Sequence, residues 1–478
     1  MDNSSIKTKA LNGVKWTAIE RISLQTIQFV VGIVVARMVL PSEYGLVGML
    51  AIFISLGDIL LTSGFGIALI RLKEKTNIDY STAFFFNLGV GILVYVVLFL
   101  LAPFISNFYG IEILKDITRI YGIILLLHSL TVVQVAKLTS EMRFKLQFII
   151  SLISLICGGI TGIIMAYRGC GVWSIVFQSL INALVSVLLL WTLTGWRPIL
   201  CFSKKSFNYL FSFGSKMLTT SIIDVIYDNI YALTIGKFYT PQSVGYFTRG
   251  QQMINIPQSS VTQIVTKVSL PLLTPLQDNN QRLLVTYEKI FRLTLFAVYP
   301  LVMYILIFSD SIISVLLKEK WMPCVPYLRI LSFGALWYPL TLINVNLIIV
   351  KGRSDILLKI DVYKKLIGFA IVLITLNIGI YWMCFGTTIY ALCAFIINCQ
   401  QTKTLLNYGF VEQIKIVVPT LIRTLLMGLA LYYGCSFIQN DYVRLFVGAV
   451  LGALVYLFIC IVTKDIAYNE LLKIVRRK

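Results

Sequence analysis

The stretch "TAFFFNLGVGILVYVVLFLLAPF" (82–104) holds no charged residue, and apolar runs of similar length recur from one end of the chain to the other. About 20 residues of helix cross a hydrocarbon core ~30 Å thick, so each run is long enough to span a bilayer. Composition agrees. The chain is 58% hydrophobic and 13% charged, with mean hydropathy +0.86, where soluble domains sit nearer ~45–50% and ~25%. The expected fold class is an all-α polytopic membrane protein. Its segments between runs are too short for a soluble domain.

Hydropathy places crossings near 15–38, 45–70, 82–104, 116–136, 148–166, 172–193, 210–235, 245–270, 290–315, 325–350, 360–379, 383–399, 415–435 and 445–462. Fourteen crossings put both termini on one side. The N-terminus, loops 71–81, 137–147, 194–209, 271–289, 351–359 and 400–414 with adjoining Lys415, and the tail carry 23 Lys and Arg. The alternate loops carry seven: Arg37, Lys115, Arg168, Lys237, Lys318, Lys320 and Arg444. A missed crossing would scramble this alternation. By the positive-inside rule both ends are expected in the cytoplasm. Topology thus accounts for most of the net charge of +20, and nucleic acid is not an expected partner. The basic tail "LLKIVRRK" could also touch anionic lipid heads. "MDNSSIKTKALNGVKW" leads into an apolar stretch too long for a signal-peptide core, with no small-residue cleavage site, so the first helix is expected to stay. The nine cysteines are scattered with no CxxC or Cys/His cluster, which reads as packing and gives no zinc or disulfide framework.

One joint is written twice. "VVARMVLPSEYG" (34–45) and "TIGKFYTPQSVG" (234–245) share a basic residue, a proline and a glycine at one spacing: Arg37, Pro41 and Gly45, then Lys237, Pro241 and Gly245. Gly13-Val-Lys15 matches Gly214-Ser-Lys216, Arg119-Ile120 matches Arg329-Ile330, and "GCGVWSIVFQSLINA" (169–183) stands where "CFGTTIYALCAFIIN" (384–398) stands later. The reading is two pseudo-symmetric six-helix lobes, 1–200 and 201–405, followed by two extra helices and a basic tail in 406–478. An even-numbered repeat keeps its orientation, the parallel arrangement known in transporters. The joint is then expected to recur because two lobes rock about one cleft.

Eleven basic residues fall inside or at the edges of crossings: Lys15, Arg21, Arg119, Lys216, Arg249, Lys267, Arg292, Arg329, Lys364, Lys365 and Arg423. Lys15, Lys364 and Lys365 are placed to snorkel to the interface. A mid-helix Arg or Lys facing lipid costs about 2.5–3.5 kcal/mol, so the rest are expected around water. Helical faces agree. Arg21, Gln25, Gln28 and Gly32 form one stripe, as do Gln252, Asn255, Ser259, Thr262 and Thr266, with Pro257 to bend that helix. Ser55, Asp58 and Thr62 stand opposite Asn255, Gln258 and Thr262 in the repeat, and Lys216, Asp224 and Asp228 share a third of one helix. The bland account of each amide or hydroxyl is interhelical glue. The functional account is a central cavity lined by Arg21, Gln25, Gln28, Lys216, Arg249, Asn255, Gln258, Lys267 and Arg292, suited to an anionic, hydroxyl-rich substrate such as a phosphate-linked sugar. Asp58, Asp224 and Asp228 could bind a coupling Na⁺ or H⁺, or pair with the bases. No other cofactor is expected.

"GVKWTAIERISLQTIQFVVGIVVARMVLPSEYGLVGM", "GFGIALIR" (64–71) and the 81–110 segment resemble the first lobe of bacterial Wzx-type polysaccharide exporters. "YDNIYALTIGKFYTPQSVGYFTRGQQM" (227–253), "LPLLTPLQD" (270–278) and "EKWMPCVPYLRILSFG" (319–334) resemble the second. The likeness is strongest to the O-antigen/colanic-acid exporter branch of the multidrug/oligosaccharidyl-lipid/polysaccharide superfamily. It implies alternating access and an undecaprenyl-diphosphate-linked oligosaccharide carried across the bacterial inner membrane for O-antigen, capsule or exopolysaccharide synthesis. A polysaccharide polymerase and a chain-length regulator would be candidate partners. It also implies that Arg21 stands where sister flippases use first-helix arginines for the diphosphate. Arg71 and Lys237 depart from the common Gln and Arg. The rivals are a cation-coupled multidrug antiporter, which should favour cavity carboxylates, and an oligosaccharide polymerase or ligase, which should show a large outer loop. The single histidine, His128, reads as a packed, hydrogen-bonded imidazole, and no catalytic pair is found.

Overall fold

The computed structural model describes residues 23–62, 65–72 and 75–476, with a few side chains inside helices left out. Every regular element among them is helical. The helices are α1 (Ser23–Met38), α2 (Pro41–Thr62), α3 (Phe65–Arg71), α4 (Asn77–Tyr109), α5 (Ile113–Tyr121), α6 (Ile123–Ser129), α7 (Val132–Ser140), α8 (Phe144–Tyr167), α9 (Val172–Leu193), α10 (Lys204–Phe238), α11 (Pro241–Leu273), α12 (Asn280–Ile307), α13 (Ser309–Leu317), α14 (Val325–Ala335), α15 (Tyr338–Val350), α16 (Ser354–Leu376), α17 (Ile380–Leu406), α18 (Phe410–Gly434), α19 (Asp441–Val462) and α20 (Ile466–Arg476). Short 3₁₀ turns, Thr274–Leu276 and Glu319–Cys324, precede α12 and α14.

Ten helices or near-continuous helical stretches among the described residues are long and apolar enough to cross a membrane. This is a multi-pass membrane protein. Helices also stand at the four other expected crossing positions. Of these, α10, α11 and α16 run 35, 33 and 23 residues but fall short in apolarity, and α1 is described only over Ser23–Met38. Among the described residues, length and apolarity by themselves thus support ten of the fourteen expected crossings. The long helices without that apolarity include α10 and α11, two of the four whose polar faces the sequence singles out.

One expected crossing is broken. The run read as a continuous helix over 116–136 is three pieces, α5, α6 and α7, interrupted at Gly122 and at Leu130–Thr131. Breaks inside a membrane free backbone groups that must find partners. Here Thr131 Oγ1 donates to the His128 carbonyl (2.8 Å), Ser129 Oγ to the Leu126 carbonyl (2.7 Å), and the Trp191 indole to the Leu130 carbonyl (3.2 Å).

The chain forms two compact units, Met1–Gly245 and Tyr246–Lys478. In the first, α8 and α9 form an antiparallel pair, with Gly158 and Gly162 of α8 brought hard against Gln178 and Asn182 of α9. Small residues let membrane helices approach in this way. The segment after α9 is tied to the start of α4. Ile199 N donates to Ser81 Oγ (2.9 Å), Ser203 N to Thr82 Oγ1 (3.0 Å), and Ser206 Oγ to Asp79 (2.6 Å). Asp79 also closes a capping box with Thr76 that starts α4.

In the second unit a buried polar knot joins four helices. Asn344 Oδ1 on α15 accepts from Tyr287 Oη on α12 (2.9 Å), Thr402 Oγ1 on α17 (2.5 Å) and Gln413 Nε2 on α18 (3.0 Å). Its amide donates to Gln413 Oε1 (3.0 Å) and to the Leu340 carbonyl (3.0 Å). Every member is buried and partnered, which is the glue reading of in-membrane polar residues realised. It also staples α18, the first of the two extra helices, to its unit. Met303, Phe308, Met427, Leu431 and Tyr456 fill the space between α12, α18 and α19.

Candidate functional site

The two joints meet. Proline at the first position of α2 and of α11 costs no hydrogen bond, because the first N–H groups of a helix have no intrahelical acceptor. Each joint is then closed locally. Leu40 N donates to Glu43 Oε2 (2.8 Å) in the first, and Ser243 N to Thr240 Oγ1 (3.2 Å) in the second. Within the first unit, a Cβ at Gly45 would land on the carbonyl oxygen of Pro241, and a Cβ at Gly245 on the carbonyl oxygen of Pro41. The contact is reciprocal, so a local two-fold axis relates the two turns. Around it, Lys237 donates to the Phe108 carbonyl and lies 4.5 Å from the Phe108 ring centre. Tyr109 Oη donates to the Met49 carbonyl (3.1 Å), and a Cβ at Gly171, just before α9, would strike the Glu43 carboxylate. Five helix ends therefore converge on one point.

The second feature lies on the broken crossing. His128 Nδ1, on α6, donates to Asp58 Oδ1 on α2 at 2.7 Å. Both side chains are about one-third exposed. Tyr121, at the break before α6, interacts with Ser179 of α9 and with Asp58. Titratable residues on the neighbouring elements include Tyr95 on α4 and Asp224 and Asp228 on α10. The expectation of a hydrogen-bonded imidazole holds, and its partner is one of the three carboxylates put forward for coupling.

The remaining candidates fall on both units. Arg21 lies outside the described residues, as does the side chain of Lys216, which belongs to α10. Gln25 is half-buried and Gln28 exposed on α1, and Asp224 and Asp228 are exposed one turn apart on α10. On α11, Asn255 and Lys267 are exposed and Gln258 is half-buried. Arg249 is 6% exposed, with its guanidinium 5.8 Å from the Trp321 ring centre and donating to Gln252 Oε1. That is a cation packed under an aromatic ring, not one lining open space. Arg292 sits 3.9 Å from Glu288 and faces a cavity shared with Arg423 of α18. Lys364 and Lys365, read as snorkelling, both pair with Asp361 (3.3 and 2.7 Å). Among the described residues no group of three or more His, Cys, Asp or Glu is placed to hold a metal ion.

Residues 34–326, from the first joint to the start of α14, match the family described as "Polysaccharide biosynthesis protein". The chain belongs to that family. It is 24% identical to the teichuronic acid biosynthesis protein TuaB of Bacillus subtilis (strain 168) over 98% of this chain and 99% of that one. It is 24% identical to the lipopolysaccharide biosynthesis protein WzxC of Escherichia coli (strain K12) over 75% and 74%. Its fold resembles that of the lipid II flippase MurJ in an inward closed conformation, with TM-score 0.79 and 15% identity over 95% of this chain and 99% of that one. The resemblance to Wzx-type exporters read from the sequence holds, and so does the all-helical fold.

Proposed function

We propose that the protein is a flippase that moves an undecaprenyl-diphosphate-linked oligosaccharide repeat unit from the cytoplasmic to the periplasmic leaflet of the bacterial inner membrane. It does so by alternating access, for surface polysaccharide synthesis, with both termini in the cytoplasm. The observation that carries this is a chain of the polysaccharide biosynthesis family in which α10 and α11 stand at crossing positions yet are too polar to face hydrocarbon. Helices of that kind need water or a polar ligand beside them. The faces bearing Arg21, Gln25, Gln28, Lys216, Asn255, Gln258 and Lys267 would receive the diphosphate and sugar hydroxyls while the prenyl tail stays in lipid. The paired joints would be the pivot, because their reciprocal backbone contact is rigid in each turn and repeated across the local axis.

Coupling would run through Asp58 and His128. Two observations support this pair: a 2.7 Å hydrogen bond between different crossings, and an interruption of the crossing at Leu130–Thr131, just after the histidine. Helix breaks in membranes concentrate at functional sites. The repeat also makes the pair one-sided. By the Asp58/Gln258 correspondence and the Arg119/Arg329 offset, the second copy carries Gln258 and Tyr338, which do not titrate near neutral pH. Only one lobe would then sense a proton. No catalysis is assigned to the chain.

The test is export of surface polysaccharide by Arg21→Ala and Lys216→Ala, expressed at wild-type level in a strain that depends on this protein. Loss in either supports charge capture, and full export in both sinks it. Radiolabelled lipid-linked glycan separates the reaction classes: loss of a flippase traps single units inside, whereas loss of a polymerase leaves single units on the outer leaflet.

A further inference from the structure

A cavity of about 250 Å³ opens in the second unit between α12, α18, α19 and the turn that leads into α20. By the same measure one water needs only ~15 Å³. Its walls have two characters. Phe296 of α12 and Tyr456 of α19 supply apolar surface, while Arg292, Arg423 and Lys464 face it with three cations against the single carboxylate of Asp465.

That carboxylate is already used twice. Asp465 Oδ2 accepts from Arg423 Nη1, and Asp465 Oδ1 accepts from the backbone N of Tyr468 (2.9 Å), capping α20. Both members of the Arg423–Asp465 pair are largely buried, at 15% and 10% side-chain exposure. Among the described residues Arg292 is paired with Glu288 at 3.9 Å, the outer limit of an ion pair. The lining groups therefore carry an excess of positive charge in a partly enclosed, half-apolar space. A neutral sugar would leave that charge uncompensated, and a purely ionic ligand would leave the aromatic walls wet. A phosphate ester carrying a hydrocarbon chain satisfies both. α20 adds to this. It starts at Ile466 on the cavity wall and is held to α12 by Lys289–Glu470. It also carries apolar and charged residues in the alternation of an interfacial helix.

We infer that this cavity is a binding site for the anionic phosphate headgroup of a membrane lipid, closed on one side by α20 and separate from the polar faces of α1, α10 and α11. Two sources share that chemistry: a bilayer phospholipid and a polyprenyl phosphate. The site fastens a lipid against the two extra helices, which gives those helices a role beyond the twelve-helix repeat.

The experiment uses the purified full-length protein in nanodiscs. Vesicle lipid is either phosphatidylcholine alone or phosphatidylcholine with phosphatidylglycerol, and lipid retained on the protein is counted by native mass spectrometry. Wild type is expected to retain phosphatidylglycerol over phosphatidylcholine. Arg292→Gln and Lys464→Gln, which leave the Arg423–Asp465 pair intact, are expected to weaken retention roughly ten-fold each, the scale of one lost charge-assisted contact. Arg423→Gln is expected to do the same, and its thermal unfolding shows whether the fold survives. Addition of undecaprenyl phosphate distinguishes the sources: displacement of phosphatidylglycerol assigns the site to the prenyl lipid, and persistence assigns it to the bilayer lipid. Equal retention by wild type, Arg292→Gln and Lys464→Gln overturns the proposal. Export by Arg21→Ala is read separately, so failure here does not touch the transport reading.

Discussion

Gly45→Ala tests the paired joints most directly. The added methyl would occupy the place of the Pro241 carbonyl oxygen, a backbone atom at the first turn of α11 that cannot rotate away. The first turns of α2 and α11 must separate until carbon and oxygen reach ordinary contact, roughly 3.5 Å, and a gap of about 0.5–1 Å already forfeits a quarter to a half of each neighbouring contact. Overpacking of this kind costs about 1–3 kcal/mol. For a unit of this size that is a fall in Tm of about 2–4 °C per kcal/mol. The reciprocal change, Gly245→Ala, strikes the Pro41 oxygen and needs the same separation. One displacement relieves both clashes, so the double variant should cost less than the sum of the singles by at least ~0.5 kcal/mol. Gly89→Ala is the control, because a Cβ there meets nothing within 4 Å. The assay is thermal unfolding of the full-length protein in one detergent, paired with surface-polysaccharide export in a dependent strain. Gly45→Ala and Gly245→Ala should lose stability and export while Gly89→Ala keeps both. If all three behave alike, or if the double variant is fully additive, the reciprocal backbone contact does not hold the two turns together.

Other outcomes follow from the same structure. Asn344→Leu removes the acceptor of three buried donors, Tyr287, Thr402 and Gln413, and should destabilise by roughly 2–4 kcal/mol in a detergent unfolding titration; a cost below that of a surface substitution would show that the knot is not structural. His128→Gln keeps a donor for Asp58 but cannot change charge, so flipping in proteoliposomes should persist and lose its response to an imposed pH gradient; an unchanged response would remove the pair from coupling. The hydrogen bond from Lys289 holds the Glu470 carboxyl below its usual range. A depressed carboxylate contributes stability that is present above its unfolded pKa and is lost as pH falls through the folded value, so α20 should become protease-sensitive below about pH 4. In Lys289→Ala the tether is missing at every pH, so α20 should be protease-sensitive already at neutral pH, and a wild-type profile would refute the tether.

How much was legible follows from distance along the chain. The helices stand where apolar runs of the right length predict them, because crossing a bilayer is a demand that a single segment meets alone. Family and joint were readable for a related reason: a repeated Pro–Gly turn is local chemistry written into ten adjacent residues. The break around His128 was not readable. The run from Ile120 to Val133 is mostly apolar, with no proline to mark a stop, and one carbonyl at the interruption, that of Leu130, accepts from Trp191 on another helix. Asp58 was read as a coupling site or a partner for the basic residues, and its partner is a histidine 70 residues away. Arg249 read as a cavity cation because its helix face is polar, and Trp321, which covers it, lies in a different crossing.

The sequence by itself determined that this chain crosses the membrane many times as helices and that it repeats one bundle plan. Hydrophobic length and turn chemistry act within a segment, and no tertiary partner is needed to express them. Which polar groups are closed into glue was decided only by the tertiary structure. Asn344 and Asn255 look alike in the sequence as amides within crossings, and Asn255 is exposed on α11. Asn344 is closed into a satisfied knot by three other helices, and the pairing of Gly45 with Pro241 depends likewise on a contact across about 200 positions. A burial cost is set by what surrounds a group once folded, and that information is held by no single stretch of the chain.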